Sequence, residues 1–537
     1  MGTPSGVIRP DPFLGLPRLM ETGRDTPLTP LGWNHLQLQR PLAAWACWQQ
    51  ALRIDPDDKA AKQALDALET LDELPAAARA VYRFFTPKDT ARRDHWNGLL
   101  TGQNLEQLDQ AAEAFRSLAN DDPFDVDARL NLALCLAWLG KNTEAIQQLD
   151  QVVSVLAAAE AERAADAWTL AEVLRFGAGA EPLADDLRCV WTLEPPNLPD
   201  ESLYSHWPNL IETEVPIDPL TGSQALRVGR VFEWLDRPIV SMTAAWPTRA
   251  AEIPRKLAAV IQSPGFLRLS SPDPTTFAAL EESDMAEVEE ALRPARREIV
   301  PLPIAWADVA LSTFQLPPGL ETRERDELTR ELVELYYENL WICVPRHGLS
   351  GKSPLVASRD AARGDTVLGA KLLGIIRFRE QLGSRASLQM VYQGYPFDRL
   401  RRRLGLIAAD ANPAALDPAD ISCMSEAELD ALDPLALDGH GLAEAVESAS
   451  PFLVDRRAAK FAEVLIGRGG PLAKRIEPNA LLAPLIRLAM IESDPALAIR
   501  HIDQSLTFYE GRFREIVFVW KAEVLAVAGH DEQEGPS

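Results

Sequence analysis

Residues 108–153 read LDQAAEAFRSLANDDPFDVDARLNLALCLAWLGKNTEAIQQLDQVV, and this stretch decides the fold. Ala111 and Phe115 recur as Ala145 and Leu149, each 34 residues further on. A fixed interval of that length marks a stacked supersecondary unit rather than a single compact core. Between the two copies, VDARLNLALCLAWLG sets Leu130, Leu134, Ala137 and Trp138 on one helical face, and Gly140 stands where a helix C-terminus calls for left-handed backbone. Pro123 follows the preceding helix, where its missing N–H stops helix propagation.

The pattern extends upstream. LGWNHLQLQRPLAAWACWQQALRIDP (31–56) carries Leu31-Gly32, Ala44, Trp48, Ala51 and Pro56 in the same relative places. These are positions 7, 8, 20, 24, 27 and 32 of a 34-residue unit, and they resemble the tetratricopeptide repeat. The likeness covers roughly residues 25–175. It implies a solenoid of antiparallel helix pairs whose surface binds another protein or peptide. In such a unit a small residue (Gly32, Ala44, Ala111, Ala145) admits a neighbouring helix closely. A bulky one (Trp48, Phe115, Leu149) fills the space between units, Ala51 packs beside it, and Pro56 and Pro123 close the second helix. No unit buries its apolar face alone, so three or more are needed. Ala44 and Ala111 are 67 residues apart, one short of two repeats, which leaves room for a degenerate unit over about 60–92 that ends in VYRFFTPKD.

The bulk composition agrees with a folded, mainly α protein of several domains. The chain has 537 residues, 47% hydrophobic and 25% charged, with Ala and Leu dominant and 41 prolines gathered between helical runs. Its formal charge of −25 disfavours general binding to nucleic acid or to anionic membranes. The start lacks a signal-peptide pattern, and no apolar run reaches the length of a membrane span. The five cysteines (Cys47, Cys135, Cys189, Cys343, Cys423) are scattered and never in a CxxC pair, which fits a reducing, cytoplasmic setting; Cys47 and Cys135 read as buried small hydrophobes.

Chemistry-bearing motifs are missing from the sequence pattern. The seven histidines stand singly, no GxSxG elbow surrounds a serine, and no metal spacing or cofactor signature occurs. GLSGKSPL fails as a phosphate loop because Arg346 stands where its first glycine is needed. GRGGPLAKR (467–475) reads as a helix terminator.

Six regions follow: an N-terminal extension (1–24), the repeat array (25–180), a mixed segment (187–318), a helical module (319–410), an acidic linker (411–445) and a C-terminal repeat-like hairpin (446–530). The mixed segment promises a few short strands over 187–245, then a return to helix over SSPDPTTFAALEESDMAEVEEALRPARREIV with Asp273 or Thr275 as N-cap. In the module, Trp341-x3-Pro345-x3-Leu349-x-Gly351-x2-Pro354 resembles the toxin-binding domain of Xre/MbcA/ParS antitoxins, which implies a small helical fold. Pro345 would end one helix, Gly348 and Gly351 would take positive φ, and Ser353-Pro354 would start the next. In YPFDRLRRRLGLIAAD, Phe397, Leu400, Leu404 and Ile407 form an apolar stripe. Arg399, Arg401, Arg402 and Arg403 lie largely off it as a solvated face, or as a docking site for an acidic partner or RNA. Ser425 and Glu428 form a capping box, and Ala498 and Ile502 echo the repeat after a turn at 493–495.

The expected function is that of a non-catalytic protein-interaction scaffold or adaptor, with Trp341 and the four arginines as further candidate partner-binding residues. The alternatives are a regulatory component built on the antitoxin-like module, or an enzyme with its site in 187–330.

Overall fold

A computed structural model of the chain describes residues 28–85, 105–179, 183–194, 209–212, 230–236, 253–263, 265–272, 295–307, 310, 313–317, 319–386, 392–406, 419–452, 455–468 and 473–533. These residues are mostly helical, with one antiparallel sheet. The chain divides into two compact units. The first comprises Met1–Val333, Arg346–Lys352 and Asp360–Tyr395, and the second Glu334–Pro345, Ser353–Arg359 and Pro396–Ser537.

In the first unit, α1 (Leu28–Gln37), α2 (Pro41–Ile54), α3 (Lys59–Thr70) and the single turn α4 (Ala76–Arg79) lead to α5 (Leu105–Asp121), α6 (Val126–Trp138), α7 (Asn142–Leu156) and α8 (Ala161–Arg175). Each of α5 to α8 packs on the next, and α2 packs on α6. Their starts are set by caps: Asp58 accepts from Ala60 and Ala61 N–H, and Asp125 from Ala128 N–H. The residues read as repeat packing occupy the interior. Ala44, Trp48, Ala111, Phe115, Ala145 and Leu149 are at most 1% exposed, and Ala51 is also buried. Gly32 is needed for space, because a Cβ there would lie 2.3 Å from Trp48 Nε1. That ring is fixed by donating to Thr29 O at 3.0 Å. Pro56 and Pro123 lie just past the ends of α2 and α5, and Gly140 takes φ +73 after α6.

The described part of the degenerate unit, up to Phe85, forms no second full helix. After α3 and the one-turn α4 the backbone turns extended at Ala80, and residues 80–85 have no helix. Val81, Tyr82, Phe84 and Phe85 are β-branched or aromatic and lose side-chain freedom in a helix, whereas extended backbone accommodates them. The remainder of VYRFFTPKD lies outside the described residues, as do residues 1–24.

Another helix joins the array from far along the chain. The long helix α11 (Thr366–Gly383) packs along α8. Gly374 makes the approach close: a Cβ there would lie 2.7 Å from both Ala165 O and Trp168 Cβ. Thr169 Oγ1 donates to Gly374 O at 3.1 Å across the seam.

The sheet belongs to the same unit: β1 (Leu187–Leu193), β2 (Leu210–Glu212), β3 (Arg230–Leu235), β4 (Lys256–Gln262), β5 (Leu267–Ser271) and β6 (Arg296–Pro301), in the order β2-β3-β4-β5-β1-β6. Trp191, Leu193, Phe232, Val260, Leu267 and Leu269 build its main core. The strands expected over 187–245 thus continue to Pro301. Residues 296–300, expected to be helical, pair with β1 instead, with Cys189 opposite Ile299. Asp273 and Thr275 lie outside the described residues. Gln39 ties the sheet to the helices: its carboxamide accepts from Ile304 N at 2.8 Å and donates to Leu302 O at 3.3 Å.

The segment Arg346–Lys352 is a tight turn of the first unit. Gly351 has φ +80 as expected, but the second left-handed residue is Ser350 (φ +57), not Gly348. Gly348 is needed for room, since a Cβ there would sit 2.5 Å from Glu172 Oε1. Helix α9 (Thr322–Leu335) precedes this region, and α10 (Pro354–Ala362) follows with Ser353 Oγ accepting from Val356 N.

The second unit contains α12 (Phe397–Arg403), α13 (Glu426–Ala431), α14 (Gly439–Ala449), α15 (Asp455–Arg468), α16 (Pro478–Leu481), α17 (Ala483–Ile491), α18 (Pro495–Ser505) and α19 (Gly511–Gln533). The capping box at α13 forms with Ser425 and Glu428. Ser493 turns the chain at φ +57 between α17 and α18, and Ala498 and Ile502 are fully buried. The acidic linker is corrected: 419–445 contains α13 and the start of α14, and buries Cys423, Leu429 and Leu442.

Candidate functional site

The segment after α4 lies across the helical array. Exposure alternates along it: Val81, Arg83 and Phe85 are exposed, while Tyr82 and Phe84 are half-buried. This two-residue period is that of extended backbone, so Tyr82 and Phe84 face the helices. The Phe84 ring meets Phe115 of α5 (centroids 5.5 Å apart) and stands edge-on to Trp138 of α6 (5.0 Å, planes 88° apart). Trp138 is backed by Trp45 of α2, stacked at 5.9 Å. Leu42, Trp45, Leu68, Ala78, Ala80 and Trp138 close over the seam and leave no space the size of a water molecule.

The polar element of this seat is Asn131. It is fully buried on α6, between Leu130 and Leu132. Its Oδ1 accepts from Phe85 N at 2.8 Å and its Nδ2 donates to Phe85 O at 2.9 Å. The carboxamide therefore binds both backbone groups of one residue, as a neighbouring strand would. Arg163 of α8 lies over the Phe85 ring, 5.5 Å from its centroid. Tyr82 donates its hydroxyl to Ala77 O at 2.8 Å, and burial, with Asp166 nearby, pushes its phenol well above the ordinary range. Ala77 N in turn donates to Gln381 Oε1 of α11 at 2.8 Å. The sequence signal for Asn131 was a lone amide in an otherwise apolar helix, and that for residues 80–85 was a β-branched and aromatic run.

A buried charged node lies at the C-terminal end of α8. Glu172 accepts from Arg175 Nε at 2.8 Å, and Arg379 of α11 donates to Asp186 Oδ2 at 2.8 Å. Asp185, next in the chain to Asp186, takes the backbone N–H of His347. Burial raises the Glu172 carboxyl, Asp185 adds to the rise and Arg175 opposes it. The node is packed shut by Gly348 and by α11, so its chemistry is that of interior cross-linking.

Trp341 and the four arginines are brought together within the second unit, but as interior groups. Trp341 is 0% exposed and packs with Tyr337, whose ring also meets Phe397. The reading of Arg399, Arg401, Arg402 and Arg403 as a solvated or docking face is corrected. Arg399 chelates Glu338 (2.7 and 3.1 Å) and also pairs with Asp420. Arg401 pairs with Asp398 at 2.8 Å and Arg402 with Glu428 at 3.1 Å. Arg403, 1% exposed, donates to Glu338 O, Met424 O, Asn339 Oδ1 and Ser448 O, with its guanidinium over Phe452 at 4.3 Å. Burial alone would lower the Arg399 pKa, yet its carboxylate partners hold it above the usual value. The counter-charges for α12 come from residues 420–428, in the supposed linker, and from Glu338. Phe397, Leu400 and Leu404 are buried as the apolar stripe required, and Ile407 lies outside the described residues.

Among the described residues no group of three or more His, Cys, Asp or Glu could hold a metal ion, and no helix is long and apolar enough to cross a membrane. Cys47 and Cys135 are fully buried, and burial pushes the Cys47 thiol up to about 12. No family model, no curated protein and no solved structure matches the chain.

Proposed function

We propose that the chain is a non-catalytic protein-interaction scaffold or adaptor that presents a tetratricopeptide-like helical-hairpin surface to an extended partner segment. The observation that carries this reading is the double hydrogen bond from Asn131 to the backbone of Phe85. It supports the reading because a buried amide aimed at both backbone groups of one residue recognises extended chain independently of that residue's side chain. The recurring burial of Ala44, Ala111 and Ala145 supports the repeat likeness, since the small residue recurs where adjacent helices approach.

The test uses the full chain as bait in an extract of its own source, with cross-links mapped by mass spectrometry. A stoichiometric partner cross-linked to residues of α1–α8 or α11 is the expected result. Cross-links confined to the second unit, or the absence of any stoichiometric partner, would sink the reading.

A further inference from the structure

We propose that the seat around Asn131 is an exchangeable site for an extended peptide bearing an aromatic-x-aromatic pattern, and that Ala80–Phe85 is its resident in-chain occupant. This rests on the interaction reading above and adds the class of partner and the way access is regulated. The segment is bound as a ligand is bound. It belongs to neither helix nor sheet, four of its six residues are exposed while Tyr82 and Phe84 turn inward, and the side chains that grip it come from α5, α6 and α8. Asn131 asks only for one extended residue with a free N–H and C=O. Phe115 and Trp138 ask for an aromatic ring one residue before it. The Ala77 carbonyl, which accepts the Tyr82 hydroxyl, asks for a phenol or similar polar-tipped ring two residues earlier still. Arg163 adds a cation over whichever ring follows. A peptide of the form Tyr-x-Phe-Phe from a partner chain satisfies every one of these contacts.

In-chain occupancy sets the threshold for exchange. A tethered segment competes at an effective concentration of roughly millimolar, so a free peptide of moderate affinity sees a mostly filled seat until the segment is released. The probe is the acetylated and amidated peptide AVYRFF, fluorescently labelled, titrated into the full-length chain and followed by anisotropy. The Tyr82→Gly/Phe84→Gly variant, termed emptied because it withdraws both inward rings and leaves the segment held only through Phe85, should bind the peptide at least about ten-fold more tightly than the unaltered chain. Adding Asn131→Leu to that variant should remove the gain, and a scrambled peptide should not bind. Failure of the emptied variant to bind at millimolar peptide, with helical content and melting preserved, overturns the proposal, as does binding that survives Asn131→Leu. Where the emptied variant does not fold, the unaltered chain decides: millimolar peptide should release hydrogen-exchange protection of the Phe85 amide, and unchanged protection overturns the proposal. A protein partner cross-linked elsewhere on the array, with no peptide exchange, would refute this inference while leaving the interaction reading standing.

Discussion

Gly374 marks the closest approach of α11 to α8, and replacing it with alanine isolates what holds the two together. An added Cβ would stand 2.7 Å from Ala165 O and from Trp168 Cβ, and 3.1 Å from Thr169 N. Two of these are backbone atoms of a helix, so the clash cannot be relieved by a side-chain rotation. Overpacking of this kind costs about 1–3 kcal/mol. Against it stands the helix propensity gained from Gly to Ala, about 1 kcal/mol. The interhelical bond from Thr169 Oγ1 to Gly374 O is also stretched as the helices part, a loss of about 1 kcal/mol. The net expectation is a destabilisation of about 1–3 kcal/mol. Gly369 on the same helix supplies the control. Its added Cβ would meet only the Ala361 Cβ, at 3.3 Å, so Gly369→Ala keeps most of the propensity gain and should be neutral or stabilising by about 0.5 kcal/mol. Urea unfolding followed by circular dichroism gives the two values, and hydrogen exchange assigns the loss in Gly374→Ala to α8 and α11. Gly374→Ala proving as stable as Gly369→Ala would refute the close crossing and the placement of α11 on the array.

Further outcomes follow from the buried charges and caps. Burial, with Arg40 adjacent, lowers the His35 pKa from 6.5 to about 4. The folded state therefore binds fewer protons than the unfolded state between these values, so stability is full above about pH 6.5 and falls as pH drops toward 4. From pH 7 to 5 His35 should account for about 2 kcal/mol of that fall, and His35→Gln should flatten the difference in urea midpoints. Arg403→Met leaves three buried carbonyls and the half-buried Asn339 Oδ1 without their donor and should destabilise the second unit by at least about 1–3 kcal/mol. Arg456→Ala, which removes a long, exposed pair with Glu492, should change stability by under about 0.5 kcal/mol in the same melts. Ser425→Ala breaks the capping box and should cost about 1 kcal/mol, read as a lower thermal midpoint.

What was legible in the sequence was local or periodic. Apolar periodicity placed helices around Ala44, Ala111 and Ala145, and α2, α5 and α7 stand there with each alanine buried, because close helix packing needs a small residue. The Ser425 capping box, Gly351 and the turn before Ala498 were legible for a similar reason: each is settled by residues within one or two turns. Long-range pairing was not. The α8–α11 seam joins residues more than 200 positions apart, and its only trace was Gly374 inside a helical run. The arginines of α12 were misread because one helix shows the period of its apolar stripe but not what covers its other face; their carboxylate partners, Asp420 and Glu428, stand in a stretch that composition alone marks as linker. Likewise β6 was read as helix because REIV carries no period long enough to separate the two, and its strand identity comes from pairing with β1.

The extended run Ala80–Phe85 is what connects the fold to its proposed use. A helix over residues 80–85 would satisfy its own backbone groups. The extended run instead leaves an N–H and a C=O at Phe85 that require partners from outside the run, and Asn131 supplies both. An asparagine at that place on α6 would be a liability against a packed helix, because a buried amide without partners costs about 1–3 kcal/mol. Against an extended chain it is satisfied, and it remains satisfied by any extended chain of suitable side chains. The residue that holds the irregular segment is therefore the same one that, under the exchange proposed above, would receive another peptide in its place.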